Sequence, residues 1–480
     1  MDLSFLAAED NDFSDSQSDF VESEDGHDVS DSNEDASDAS INDNEVEEVE
    51  EVRDETERAP MGQEWSNEEM REIRETEKLL ESGLLNMEVN ELLREAEVDY
   101  NKTQVLQQAL KALKTTLVAL PGISWGKLQE ELRSSKLLVS LPELVVDPSS
   151  QESPSEDKDH SKKDIHLAAP VSLDLTGSYP LKNMLSTSRV VDVTAMLPPS
   201  ALLPLDFLHC RYHYVRNLHV WYWAQALSQS PVFESVSVEA FLNDPLKPVL
   251  KLAIAPNEKG IRTRFTIRLL VSVAPAAFKI AKLSYSRNNL PSLDNLEHSA
   301  AYTSGILEDM YHVDNVKVLH EAFGESLTIR QGTLLLKAWN RARGFSQRPT
   351  EISNFQLSML VAHLLVTRRL SRRLSAFQVF RVVMEFLQAG GFSAGSVTLW
   401  GRTEKNHDTT TSSSSSSSSA SNLLEGMKSS SAAVFTDPSG RVNLLARLSS
   451  ESLEAVRTEA TLTLLALNDA NTTQDRFSEV

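Results

Sequence analysis

Near residue 296 the spacing of apolar residues changes to a 3.6 period and stays there, and that change limits the folds open to the chain. Upstream, apolar runs at 171–175, 190–196, 233–238, 249–254 and 264–273 are rich in Val, Ile, Leu and Phe and read as strands. Residues 206–228 read as a helix between the second and third runs. Downstream the period is 3.6. Ile306, Met310, Val313, Val316 and Leu319 open it, and helical stretches at 333–342, 355–367, 377–387 and 451–467 follow. Gly390-Gly391 ends the third of these, and the last carries Leu453, Val456, Ala460 and Leu464. A helix-backed mixed sheet at 167–290 followed by an all-α domain at 291–480 is an α+β chain.

Ahead of the sheet, order is expected to begin near Trp65. Ser66 and Glu69 form a capping-box pattern, and Met70, Ile73 and Leu80 follow at helical spacing. A second apolar face runs through Leu85, Val89, Leu92, Leu93 and Ala96. A third runs through Leu106, Leu110, Leu113, Leu117 and Leu120 and stops at Pro121-Gly122. These helices, within 61–145, are amphipathic, so they pack either on this chain's own core or on a partner. A charged, Pro/Ser-rich linker occupies 146–166. Residues 402–430, with eight serines at 412–419, read as a disordered insertion.

The net charge of −24 is unevenly placed. Residues 1–60 hold 23 Asp and Glu against Arg53 and Arg58, a net of −21, which leaves −3 for everything else. The folded part is therefore nearly balanced, and a local basic patch can still meet phosphate. The first 60 residues bury too little apolar surface to offset their ordering entropy and read as a disordered acidic tail. Ser16, Ser32 and Ser40 each stand three residues before an Asp, the spacing of casein kinase 2 substrates. Cys210 has no second cysteine to pair with, which suits a reducing compartment. The N-terminus lacks the basic segment of a signal peptide, and no run approaches the roughly 18 apolar residues that span a bilayer. A soluble intracellular protein without a membrane role is expected.

The stretch Gly177-Ser178 to Asp192 carries the main candidate site. A Gly-Ser turn after one strand, followed by a strand that presents acids, resembles the layout of nucleotidyltransferases of the DNA polymerase β type. In that family the second strand reads acid–hydrophobic–acid and a later strand adds a third acid, so that the cluster holds two metal ions. Here Val190 stands at the first position, Asp192 at the second, and Arg268 where the third is expected. The resemblance implies a degenerate site with no metal and no cofactor; the residues leave Asp192 to bind a lone ion, cap a backbone group or pair with Arg268, the last two favoured over the first. Gly177-Ser178 is expected to open a helix whose N–H groups face an anion. The plainer alternative is a turn whose backbone angles suit glycine.

Two other clusters carry weaker signals. His209, Cys210, His213 and His219 suggest zinc, but four ligands in spaced pairs are usual and the aromatic surroundings favour packing. Arg368, Arg369, Arg372 and Arg373 would form like-charge pairs four apart on a continuous helix. An RNA backbone or an acidic segment would relieve the repulsion; a solvated helix end is the other reading. The repeated Arg-Arg-Leu-Ser also suits a basophilic kinase at Ser371 and Ser375.

Several blocks, in order, resemble the nucleolar RNA-associated protein family (Nrap, nucleolar protein six). They begin at Arg74-Glu-Thr-Glu-Lys-Leu-Leu and continue at Gly177-Ser-Tyr and Val191-Asp-Val-Thr-Ala-Met-Leu-Pro198. Tyr302-Thr-Ser-Gly-Ile-Leu-Glu-Asp309, Leu335-Leu-Lys-Ala-Trp-Asn-Arg-Ala-Arg343, Asp437-Pro-Ser-Gly-Arg-Val-Asn-Leu444 and Glu459-Ala-Thr-Leu-Thr-Leu464 follow. The resemblance implies a nucleotidyltransferase-like domain and then a poly(A) polymerase/OAS-like helical domain. It implies a non-catalytic scaffold of the small-subunit processome, in the nucleolus of the nucleus, acting on pre-rRNA. Implied partners are processome proteins, including a small RNA-binding assembly factor and casein kinase 2. Family members are substantially longer, so roles of their second pair of modules lie outside these residues.

Three functional readings follow. One is the scaffold. The second is an active nucleotidyltransferase that uses Asp192 with Asp174 or Glu239. The third is an acidic adaptor that works through residues 1–60.

Overall fold

Five of the apolar runs come together as one sheet. The computed structural model describes residues 84–134, 165–241, 244–290, 296–346, 348, 350–402 and 417–468. The Ser66/Glu69 pair, Ser16, Ser32, Ser40 and most of the 146–166 linker lie outside the described residues.

The chain enters through helices α1 (Leu84–Ala96), α2 (Gln104–Val118) and α3 (Trp125–Ser134), with the two-residue strand β1 (Ile123–Ser124) before α3. Leu106, Leu110, Leu113 and Leu117 of α2 are fully buried, as their helical spacing demands. The end of the expected linker is part of the fold. Strand β2 (His166–Leu167) pairs antiparallel with β1, because buried Ile165 and Leu167 anchor it.

The main sheet holds β3 (Leu173–Thr176), β4 (Val190–Met196), β5 (Phe233–Phe241), β6 (Asp244–Ile254) and β7 (Thr266–Ser272), in the order β3-β4-β7-β6-β5. β4 and β7 run parallel; the other neighbours are antiparallel. Side chains alternate along β4. Val191, Val193 and Ala195 are fully buried and share a core with Trp221 and Trp223 of helix α4 (Arg211–Leu227). Asp192 and Thr194 face the opposite way, toward the helical domain. The helix expected at 206–228 begins only at Arg211, because His209 and Cys210 have φ of 54° and 60° and cannot extend it backward.

Helix α5 (Leu296–Phe323) has 28 residues, about 42 Å at helical rise. Its first half joins the sheet-side core through Ile306, Leu307 and Met310. Its second half joins a separate core through Leu319 and Phe323, with α6 (Leu327–Ala342), α7 (Asn354–Val366), α8 (Ala376–Gln388) and, later, the C-terminal helix. Capping boxes Ser353/Gln356 and Ser375/Gln378 fix the starts of α7 and α8. Strand β8 (Val397–Thr398) then pairs parallel with β9 (Val434–Phe435), and α10 (Ser450–Asn468) closes the second core. The expected disordered insertion at 402–430 is corrected in its last part: α9 (Ser417–Ser430) precedes β9. Leu423, Leu424 and Met427 give this serine-rich segment an apolar face, and Met427 is fully buried. Among the described residues no helix is long and apolar enough to cross a membrane.

Candidate functional site

Between the polar face of the sheet and helices α5 and α6 lies a cleft of about 430 Å³. Gly177, Ser178, Asp192, Arg268, His312 and Lys337 are among the residues that line it. The sequence-predicted pair Gly177-Ser178 and Asp192 are therefore neighbours in space.

Strand β3 delivers Gly177 to the carboxylate. Thr176 is in register with Asp192, so the chain turns directly over that side chain. Gly177 has a φ of +71°, and an added Cβ would lie 2.5 Å from Asp192 Oδ2. Both the left-handed backbone and the close approach demand glycine. The expected helix after Gly177-Ser178 does not form. Residues 177–182 are successive turns, and Lys182 also takes a positive φ of 51°. Leu181 and Leu185 are drawn into the core of the helical domain instead, which bends this segment away from a helical path. A helix N-terminus aimed at an anion is thus lacking at this point.

Asp192 is met by a cation. β7 runs parallel to β4 with Arg268 in register with Asp192, and Arg268 Nε donates to Asp192 Oδ1 at 2.7 Å. Burial acts to lower the pKa of Arg268, but the charge of Asp192 and their hydrogen bond raise it above the usual value. Lys251 of β6 is in register with Arg268 and donates to exposed Glu239 of β5 at 2.9 Å. Across the sheet each of these acids is thus met by a cation on the neighbouring strand: Asp192 by Arg268, Glu239 by Lys251. Asp174, the other alternative acid, lies opposite Thr194 and accepts from Ser172 Oγ at 3.0 Å. Among the described residues no three His, Cys, Asp or Glu side chains are grouped so as to hold a metal ion. The residues present do not fit a two-metal centre, which needs converging carboxylates.

Lys337, missed in the sequence, reaches this turn from α6. Its side chain is buried, and its Nζ donates to Ser178 Oγ at 2.8 Å, Asn183 Oδ1 at 2.9 Å and Asn183 O at 3.0 Å. Those three acceptors match the three donors of an ammonium group. Burial pulls its pKa down to about 7, against the charge of Asp192, which raises it. The signal was a lysine set inside the buried run Leu334-Leu335-Leu336.

A second buried cluster was also missed. Glu308 and Asp309 of α5 meet Lys247 of β6, with Lys247 Nζ at 2.7 Å and 3.1 Å. Arg216 of α4 and Tyr212 hold Asp309 Oδ2 at 3.0 Å and 2.8 Å. Arg447 joins Glu308 at 3.0 Å to Asp244 at 2.6 Å. Burial would raise the pKa of Asp309, but Lys247 and Arg216 hold it at about 2. Three acids and three bases thus lock the sheet, α4, α5 and the segment before α10 together. Adjacent acids in the apolar face of α5 were the available clue.

The histidine cluster does not assemble. His209 is exposed before α4, whereas His213 and His219 are buried inside it. Burial drives His213 to about 3 and His219 to about 4, so both are neutral rings in the core.

The arginine cluster is corrected as well. Arg368 to Arg373 do not lie on a continuous helix; they form the turn between α7 and α8, and Arg368 has a φ of 59°. Buried Leu370 and Leu374 pin the turn and break the helix. Arg368, Arg372 and Arg373 are exposed. Arg372 Nη2 donates to Ala322 O at 2.8 Å and Glu321 O at 3.3 Å, the C-terminal carbonyls of α5. Arg369 lies over the Phe386 ring, 6.0 Å from its centroid.

Two family models match the two parts of the chain in turn. The family models described as Nrap protein domain 1 and Nrap protein PAP/OAS-like domain match residues 132–325 and 328–480. Nucleolar protein 6 of Mus musculus is 28% identical over 419 residues, 86% of this chain and 34% of the relative. Its Homo sapiens counterpart is 27% identical over 422 residues, with the same shares. The chain spans about a third of the length of these curated relatives. Among solved structures, an E. coli CdnC in complex with HORMA-deltaN gives a TM-score of 0.43 at 13% identity, covering 81% of this chain and 92% of that one. The Cid1 poly(U) polymerase bound to MgGTP gives 0.41 at 11% identity, covering 82% and 98%.

Proposed function

The chain belongs to the Nrap family, and from that premise we propose that it is a non-catalytic, RNA-associated scaffold of the small-subunit processome. It works in the nucleolus, in maturation of 18S pre-rRNA. The observation that carries the non-catalytic part is the Arg268–Asp192 pair at 2.7 Å. A guanidinium beside the Asp192 carboxylate at the Gly177 turn repels a divalent ion and engages one of the two oxygens that could bind it. Lys337, satisfied by Ser178 and Asn183, closes the same corner from the helical side.

In this reading the exposed arginines of the 368–373 turn contact pre-rRNA phosphates, since a guanidinium fork suits phosphate oxygens. A small RNA-binding assembly factor and casein kinase 2 are further partners, the latter acting on Ser16, Ser32 and Ser40 in the acidic tail. RNA crosslinking in cells, mapped to peptides, tests the contact; crosslinks at 366–376 are expected.

Incorporation of labelled nucleoside triphosphates onto an RNA primer, with magnesium or manganese, tests the non-catalytic part. No incorporation above background is expected. Robust incorporation abolished by Asp192→Ala would make the chain an active nucleotidyltransferase instead.

A further inference from the structure

One four-residue sequence occurs twice in succession between α7 and α8: Arg368-Arg369-Leu370-Ser371 and Arg372-Arg373-Leu374-Ser375. Arginines two and three residues before a serine are what a basophilic kinase selects, through acidic pockets that take guanidinium groups. In sequence the two serines are near-equivalents. The fold makes them different.

Ser375 is the N-cap of α8. Its Oγ accepts from Gln378 N at 3.2 Å, and its own N–H donates to Gln378 Oε1 at 2.9 Å. Ala376 and Phe377, directly after it, are 8% and 3% exposed. Drawing Ser375 into a kinase cleft unwinds the first turn of α8 and pulls Phe377 from the core. Ser371 sits in the connecting turn. Its Oγ accepts from Arg373 N at 3.3 Å in an exposed setting, and exposed Arg372 and Arg373 follow it. Presenting Ser371 releases Leu370 and Leu374 but leaves both flanking helices intact.

We propose that Ser371 is a phosphorylation site for a basophilic, ATP-dependent kinase, and that its capping box shields Ser375. Ser371 Oγ attacks the γ-phosphorus of ATP. The Oγ–P bond forms, the bond to the bridging β,γ-oxygen breaks, ADP leaves, and the hydroxyl proton passes to the kinase's base. The product puts about two negative charges among four guanidinium groups. Arg368 and Arg373 are exposed, Arg372 is held by the α5 carbonyls and Arg369 lies over Phe386, and each guanidinium can make charge-assisted bonds with phosphate. The phosphate competes with the α5 carbonyls for Arg372 and cancels about half the charge of the turn. Its effect on RNA, though not the modification itself, rests on the reading of this turn as a phosphate contact.

The test is labelling of the folded full chain with ATP and the catalytic subunit of a cAMP-dependent kinase, mapped by tandem mass spectrometry. One phosphate at Ser371 is expected, lost in Ser371→Ala and kept in Ser375→Ala. Heat-unfolded chain should be labelled at both serines. Labelling of folded chain at Ser375 rather than Ser371, or at neither while unfolded chain is labelled, overturns the proposal. A filter-binding titration on single-stranded RNA reads the consequence separately. Phosphorylated chain should bind about tenfold more weakly at 0.1 M salt, with the salt slope reduced by about 2. Labelling at Ser371 with unchanged RNA binding upholds the site and overturns the RNA contact.

Discussion

Lys337 Nζ lies 2.8 Å from Ser178 Oγ, across 159 residues of chain, and joins the helical domain to the turn that follows β3. Its ordinary pKa of 10.5 falls to about 7 in the folded protein through burial, against the opposing charge of Asp192. Between those values the unfolded chain holds the extra proton and the folded chain does not. Stability therefore rises with pH from about 7 to 10.5, and below 7 this group adds no slope. Urea midpoints at pH 6.5, 8 and 9.5 should show the rise in wild type, and Lys337→Met should flatten it. Identical slopes would remove Lys337 as its source.

The Asp192–Arg268 pair should show energetic coupling. A hydrogen bond to a charged partner contributes about 1.5–3 kcal/mol. A double-mutant cycle with Asp192→Asn and Arg268→Leu, followed by urea unfolding, should return a coupling in that range. A value near zero would mean that the contact contributes nothing in solution.

Gly177→Ala meets two obstacles, the φ of +71° and the Asp192 carboxylate. The left-handed backbone alone costs about 1–2 kcal/mol. The loss should exceed that in wild type and shrink when Asp192→Ala removes the oxygen. Equal losses in the two backgrounds would show that the backbone angle acts alone.

Asp309→Asn should be among the most damaging single changes. It leaves Lys247 and Arg216 buried beside a neutral amide, and breaking a buried pair costs about 3–5 kcal/mol. Thermal melting reads it directly; a shift within error of wild type would show that the cluster is dispensable.

His213 should set part of the acid limb of stability. Burial takes it from 6.5 to about 3, so the unfolded chain binds a proton first as pH falls. Stability drops from about pH 6.5 downward until the folded ring titrates. Phe fits the same aromatic surroundings, Tyr212 and Tyr302, and His213→Phe should shallow the decline between pH 6.5 and 4. An unaltered limb would assign the loss to other groups.

The sequence by itself determined the succession of elements, strands first and then helices at a 3.6 period. Periodicity alone places α7, α8 and α10 within a residue or two, because each buries a continuous apolar stripe. The resemblance to polymerase β-type nucleotidyltransferases, not periodicity, singled out Asp192 and Arg268, and the parallel register of β4 and β7 sets them side by side. Tertiary structure decided the rest. The segment after Gly177-Ser178 looked helical, yet Leu181 and Leu185 belong to a core built by residues distant in the chain, such as Leu319 and Phe323, and that packing overrides local preference. The arginine turn looked helical for the same reason, until Leu370 and Leu374 were drawn inward. Lys337, Lys247, Arg216 and Arg447 look like ordinary surface cations in sequence. Their burial depends on acceptors supplied by distant elements, and a one-dimensional pattern records the donor but not who stands opposite.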